Sequence, residues 1–244
     1  MAVLTDLHIC DPWSPLSALD HLVDQILVEA PDLILLPGDF LARNVIPSRF
    51  VPIEPIAEVL SRLQAPLGVY ASLGNHDWRD CPIARANDYR FNGVQPALEA
   101  AGIPVLSNRG VSLTGSTWLV GLDSQQGIGR AKDPDPRHDL GSAFADVPDG
   151  ASVILMAHEP DIFLDHDCPA ALQVSGHTHA GQINLFGWRP ATPSRYGGRL
   201  AHGLHAEGDR RLIVSAGLGY SGPPVRFMAP PEWVMARVAA AGGV

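Results

Sequence analysis

Cysteine is scarce in this 244-residue chain: Cys10, Cys81 and Cys168 are odd in number and lack short paired spacings. That excludes a disulfide framework and a cysteine-rich zinc site. Positive charge is scarce too. Seventeen Lys and Arg against 26 Asp and Glu leave a formal charge of -9, and no basic run interrupts the sequence. This is the wrong sign for a protein that grips long nucleic acid through its phosphates. No stretch approaches the ~20 apolar residues of a membrane-crossing helix. The first apolar run begins almost at Met1, so no signal peptide is expected and the chain as written is expected to be cytoplasmic. Removal of a leader would instead make the natural protein exported or membrane-associated. Internal repeats and linkers are also lacking, which predicts one domain over residues 1–244.

What is present is a 46% hydrophobic content, enough for a large core, arranged in short runs. In the first half, runs rich in Val, Ile and Leu alternate with amphipathic stretches, as βαβ units do. Strands are predicted at 2–5, 33–36 and 67–73, and helices at 17–30, 53–63 and 94–101. In the helix at 17–30, Leu19, Leu22, Val23, Ile26 and Leu27 share a face. Residues 105–123 read as short strands around a Thr114-Gly115 turn, with further strands at 152–157, 171–175, 212–215 and 233–238. Two packed sheets with helices outside, an α/β fold, fit this order. Residues 124–140 and 186–209, rich in Gly, Pro and Arg, take no assignment. Ordered loops of such length are usually functional.

Five apolar runs end directly in residues able to bind a metal. They deliver Asp6-Leu7-His8, Gly38-Asp39, Gly74-Asn75-His76-Asp77, His158-Glu159 and Gly176-His177-Thr178-His179. Ligand groups gather at the carboxyl ends of strands in such sheets, so these residues should converge on one edge. Gly38, Gly74 and Gly176 stand where a side chain would obstruct the turn or the substrate. Taken singly, each motif has an ordinary reading as a turn or a hydrogen-bonded pair. Their joint occurrence, every member after an apolar run, removes that reading.

The order Asp-x-His, Gly-Asp, Gly-Asn-His-Asp, His and Gly-His-x-His resembles the calcineurin-like metallophosphoesterases, over residues 5–227. Gly217-Leu218-Gly219 and Pro224-Val225-Arg226-Phe227 look like the branch of small bacterial phosphodiesterases similar to YkuE. The resemblance implies an α/β/β/α sandwich with two mixed sheets. It implies that Asp6, His8, Asp39 and His179 hold one metal and Asp39, Asn75, His158 and His177 the other, with Asp39 bridging. It leaves His76 unligated, facing the substrate.

All seven proposed ligands offer oxygen or imidazole nitrogen, which suits two divalent transition ions. Mn²⁺, Fe, Co²⁺, Ni²⁺ or Zn²⁺ fit better than Mg²⁺ or Ca²⁺, and Mn²⁺ is the first choice for assay. Two such ions ~3.5–4 Å apart bind a phosphoryl group and acidify a water, so the expected nucleophile is a metal-bound hydroxide. His76 is the expected acid or charge stabiliser, and Asp77 is expected either to orient a histidine or the loop or to serve as a helix N-cap or turn carboxylate. Protein phosphatases of this fold carry Gly after Asp-x-His and an Asp-Arg pair after Gly-Asp. Here those places hold Ile9, Ala42 and Arg43, which argues against a Ser/Thr phosphatase and leaves Arg43 as either a candidate phosphate clamp or a surface ion-pair residue. The expected function is a phosphodiesterase acting on a small or lipid-linked ester, with possible peripheral contact with a membrane. A UDP-2,3-diacylglucosamine-type pyrophosphatase is the alternative, favoured if Trp13, Phe186 and Trp188 form an apolar surface patch and disfavoured if they are core. A metal-stabilised interaction scaffold is the non-enzymatic reading; it requires neither the complete ligand set nor His76.

Overall fold

The computed structural model describes residues 1–43, 47–130 and 133–239. Its strands are β1 (Ala2–Val3), β2 (Cys10–Asp11), β3 (Ile34–Pro37), β4 (Arg49–Phe50), β5 (Val69–Ser72), β6 (Arg109–Thr114), β7 (Thr117–Gly121), β8 (Ser152–Met156), β9 (Leu172–Ser175), β10 (Gly203–Glu207), β11 (Arg210–Val214) and β12 (Val234–Met235). Its helices are α1 (Leu16–Glu29), α2 (Ile53–Leu60), α3 (Asn75–Arg79), α4 (Pro82–Ala86), α5 (Val94–Ala100), α6 (Leu140–Phe144) and α7 (Ile162–Asp165). One sheet runs β12-β1-β3-β5, parallel except for β12. The other runs β10-β11-β9-β8-β7-β6, parallel in the middle with antiparallel strands at both edges.

The alternation of side chains along the strands builds the layers. Ala2, Ile34, Leu36 and Ala71 pack against Leu19, Val23 and Ile26 of α1, Ile56 and Leu60 of α2, and Val94 and Leu98 of α5. The intervening Val3 and Leu35 meet Leu119, Ile154, Met156 and Val174 of the second sheet. That sheet's far face, with Val120, Val153 and Leu155, receives Ala143 of α6 and Ile162 of α7. The result is the expected four-layer α/β/β/α sandwich with two mixed sheets.

Elements differ from the expected ones mainly at their ends. The first strand pairs only at Ala2 and Val3, because the chain leaves the ladder to carry Asp6 and His8 over the sheet edge. The Gly-Asn-His-Asp motif, which taken alone reads as a turn, opens helix α3. Within the unassigned stretch 186–209 lies β10, antiparallel to β11. Ala131 and Lys132, in the other unassigned stretch, lie outside the described residues. That first stretch is tied down by Glu159, whose carboxylate accepts from the backbone N–H groups of Gln125 and Gln126 at 2.9 and 3.1 Å. Asp161 likewise accepts from the Arg195 N–H at 2.8 Å, and Asp165 from the Tyr196 hydroxyl at 2.6 Å. Acidic residues just after His158 therefore order both long loops over the strand ends.

Candidate metal centre

The ends of β1, β3, β5, β8 and β9 bring Asp6, His8, Asp39, Asn75, His76, His158, His177 and His179 together, all buried. Close approach of the strand ends dictates the glycines. A Cβ on Gly38, which has φ +88°, would lie 2.3 Å from the Gly74 nitrogen, and one on Gly176 would lie 2.1 Å from Asp6 Oδ2. Five residues of the cluster adopt left-handed backbone: Asp6, His8, Asp39, His177 and His179, with φ of 53°, 42°, 59°, 68° and 51°. Such conformations cost about 1–3 kcal/mol each in non-glycine residues and persist where the surroundings enforce them, above all at functional sites. Here backbone bonds enforce them: the Asp6 N–H donates to Gly38 O at 3.1 Å and the His8 N–H to Asp39 O at 3.0 Å.

Asp39 occupies the middle. Its Oδ1 accepts from the His76 N–H at 2.8 Å, while Oδ2 faces His8 Nε2 at 3.4 Å and His158 Nε2 at 3.1 Å. On one side His8 Nε2 lies 3.2 Å from His179 Nε2, which is 3.4 Å from Asp6 Oδ1. On the other, His158 Nε2 lies 3.2 Å from His177 Nδ1. Three groups thus have ligand atoms within 4.8 Å of one another: Asp6, His8 and His179; His8, Asp39 and His76; and Asp39, His158 and His177. The side-chain oxygen and nitrogen of Asn75, both buried, have no hydrogen-bond partner among the described residues. An orphaned buried amide beside imidazole nitrogens aimed at each other is what a cation site looks like from its protein half. The donor set fits divalent transition ions.

The electrostatics agree. Burial pushes the Asp6 carboxyl up, and it depresses His177 and His179 well below the ordinary imidazole range, helped by the neighbouring His158 and His8 respectively. Burial opposes ionisation of Asp39 and of His158 too. Their mutual attraction wins, holding Asp39 well below and His158 well above their usual values. Neutral His177 and His179 keep lone pairs free for a cation.

His76 stands beside the cluster. Its Nδ1 lies 2.7 Å from Asp80 Oδ2, and its Nε2 lies 2.9 Å from the guanidinium of Arg79. Burial holds its pKa below the usual value, against the pull of Asp39 and Asp80. The Asp77 carboxylate turns to the backbone rather than to the His76 ring. It accepts from the N–H groups of Asp39, Phe40 and Gly74 at 2.8, 2.9 and 2.9 Å, fastening the Gly38–Asp39 turn to the start of α3. Burial and the adjacent Asp39 push it up to about 7. Arg43 is exposed, stacks over Phe50 at 5.3 Å and does not line the cavity above the cluster, so the clamp position expected for it is not where its side chain lies. That cavity, about 400 Å³, is walled by Asn75, His76, Arg79, Gln126, Arg130 and His179, among others. Arg79, Asp80 and Gln126 were not singled out for the site by sequence reasoning. The legible signal for the first two was their place three and four residues after His76, one helical turn on. His202 and His205 lie away from the cluster, His202 paired with Glu232 at 2.8 Å.

Comparison with known proteins matches these features. A family model described as Calcineurin-like phosphoesterase matches residues 1–181. The chain is 29% identical over 232 residues to the metallophosphoesterase YkuE of Bacillus subtilis, covering 93% of this chain and 74% of that protein. It is 27% identical to the metallophosphoesterase Cj0846 of Campylobacter jejuni, of which it spans only 58%. With the UDP-2,3-diacylglucosamine pyrophosphatase LpxG of Chlamydia trachomatis it shares 29% identity, over 96% of this chain and 82% of that one. The solved NAD nucleotidase NadN of Haemophilus influenzae shares the fold, with TM-score 0.51 and 15% identity over 88% of this chain and 44% of that one.

Proposed function

The chain belongs to the calcineurin-like phosphoesterase family and is a metal-dependent phosphoester hydrolase; from that premise we propose a phosphodiesterase, acting as one domain, that works with two divalent transition ions. The observation that supports this is the position of Asp39 Oδ2 between His8 Nε2 at 3.4 Å and His158 Nε2 at 3.1 Å, where one carboxylate oxygen could serve two sites. Asp6, His8, Asp39 and His179 would hold one ion, and Asp39, Asn75, His158 and His177 the other. Such ions, Mn²⁺ being the first to try, supply Lewis acidity: they acidify a water and draw charge from phosphoryl oxygens.

The chain's own groups supply the rest. Arg79 and Arg130 on the cavity wall are donors for phosphoryl oxygens, the role first sought in Arg43. His76 lines the cavity with Nδ1 on Asp80 and Nε2 against the Arg79 guanidinium, so it would stabilise developing charge or pass a proton to a leaving oxygen only once Arg79 turns from Nε2 to the substrate. Asp77 fixes the turn that presents Asp39.

A lipid-linked diphosphate as substrate is the second reading, and a specific observation favours it. Trp13, Phe186 and Trp188 are 42%, 89% and 64% exposed, so they are not core. Phe186 and Trp188 sit on one small hairpin closed by Leu185 and Trp188, beside exposed Phe227. That hairpin springs from the turn after His179, since the Phe227 N–H donates to Gln182 O at 2.8 Å and the Asn184 N–H to Phe227 O at 2.9 Å. An exposed apolar rim beside an anion-binding cavity suits an acylated phosphate ester, met at a membrane surface. No helix among the described residues is long and apolar enough to cross a membrane.

Turnover of a nitrophenyl diester, a nitrophenyl monoester and a UDP-linked diacyl sugar, each with Mn²⁺, tests these readings. The diester should be preferred to the monoester; turnover confined to the diphosphate establishes the second reading, and no turnover of any ester by the metal-loaded protein contradicts both.

A further inference from the structure

Three of the four histidines proposed as ligands turn their outer ring nitrogen to a backbone carbonyl. His8 Nδ1 lies 3.0 Å from Leu41 O, His158 Nδ1 2.7 Å from Pro37 O and His177 Nε2 2.8 Å from Pro193 O, where it also meets the uncharged amide Nε2 of Gln126 at 2.7 Å. An acceptor there fixes the N–H on the outer nitrogen, leaves the inner lone pair for a metal and raises its basicity.

His179 is different. Its outer nitrogen, Nδ1, lies 3.2 Å from Nη2 of Arg226, a group with donors only. That Nη2 already faces three carbonyl oxygens, of Ala216, Gly217 and Gly219, at 2.9, 3.1 and 2.6 Å. If Nδ1 carries the hydrogen, it points at a cation. If Nδ1 accepts from Arg226, the hydrogen moves to Nε2, the nitrogen that faces His8 and Asp6. Either way His179 is a poorer ligand than its three neighbours. The same guanidinium also clamps residues 216–219 over the site, where the Gly219 N–H donates to Asp6 O at 2.6 Å and a Cβ on Gly217 would lie 2.5 Å from that of Asp6.

We propose that Arg226, by giving His179 a cation where the other histidines have an acceptor, makes the ion held with Asp6, His8 and His179 the weaker and more exchangeable of the two. This rests on the two-ion reading above. Its functional meaning is regulation of loading: at limiting metal the Asp39, Asn75, His158 and His177 site fills first, and the second ion completes the centre only as the free ion concentration rises.

Titration of chelator-stripped protein with Mn²⁺, reading free ion by its paramagnetic resonance, tests this without an activity assay. Two steps are expected, with affinities at least tenfold apart. His179→Ala should delete the weaker step and keep the tighter one. Arg226→Gln offers His179 an amide oxygen and still donates to the carbonyls, so its weaker step should tighten about tenfold. Arg226→Lys keeps the cation and should leave the gap in place, which separates the effect on His179 from the clamping of residues 216–219. Equal affinities in the unmodified protein, loss of the tighter or only step in His179→Ala, or equal behaviour of the Gln and Lys variants would overturn the proposal. Failure of the unmodified protein to bind any Mn²⁺ would overturn the two-ion reading itself.

Discussion

His76 Nδ1 lies 2.7 Å from Asp80 Oδ2, one helical turn away on α3, and the same Asp80 oxygen accepts from the backbone N–H of Arg43 at 3.0 Å. Asp80 therefore ties the histidine to the segment that follows Asp39. Replacing Asp80 by Asn should lower turnover about tenfold or more while leaving bound metal unchanged, because it alters the partner and not a ligand. His76→Asn should cost about 10²–10⁴ on an alkyl ester and less on a nitrophenyl ester, whose leaving group departs with little help from an acid. Kinetics on the two esters, with metal analysis of each variant, checks both. An equal loss on good and poor leaving groups would assign His76 to charge stabilisation, and loss of metal would make it a ligand.

Arg79 and Arg130 line the cavity and Arg43 does not. Arg79→Met and Arg130→Met should each raise KM about tenfold or more with metal content intact, whereas Arg43→Met should change KM less than threefold, magnitudes expected for gain or loss of one charge-assisted contact. Steady-state kinetics on one diester decides it.

Removal of the central carboxylate should act on both ions together. Excess Mn²⁺ should raise the melting temperature of the unmodified protein, and Asp39→Ala should weaken both Mn²⁺ steps and abolish that rise, since an ion bound only by the folded state adds to its stability. Melting curves with and without Mn²⁺ provide the readout.

Much of this centre was legible because each ligand sits in a local motif at the end of an apolar run, so strand assignment alone delivered Asp6, Asp39, Asn75, His158, His177 and His179 to one edge. Asp80 escaped because the Gly-Asn-His-Asp motif reads as a turn, and its neighbour at the fourth residue counts only if a helix starts there, as it does. Arg226 reaches His179 across 47 residues through a packing of loops that no periodicity encodes. Arg43 was placed by analogy with a motif whose preceding residue is changed to Ala42, and its side chain follows Phe50 instead. The long loops looked unassignable because their order comes from Glu159, Asp161 and Asp165, not from their own pattern.

Glu232 gives a dependence on pH away from the cluster. Its burial disfavours the charge, but bonds from His202 and from the Ala216 N–H, each at 2.8 Å, prevail and hold its pKa below the usual 4.5. A carboxylate with a depressed folded pKa stabilises above its unfolded value, and that contribution disappears as pH falls through the folded one. Glu232→Gln should therefore lower the melting temperature at pH 6–7, with the difference shrinking below about pH 4.5. Melting scans across that range check the sign; a difference that grows in acid would contradict it.

The two-ion account meets its most direct test in turnover measured after exhaustive chelation and again as Mn²⁺ is returned, with bound ions counted at each step. Turnover should vanish in the metal-free protein and return as the second equivalent binds. Full turnover with no metal bound would contradict the account.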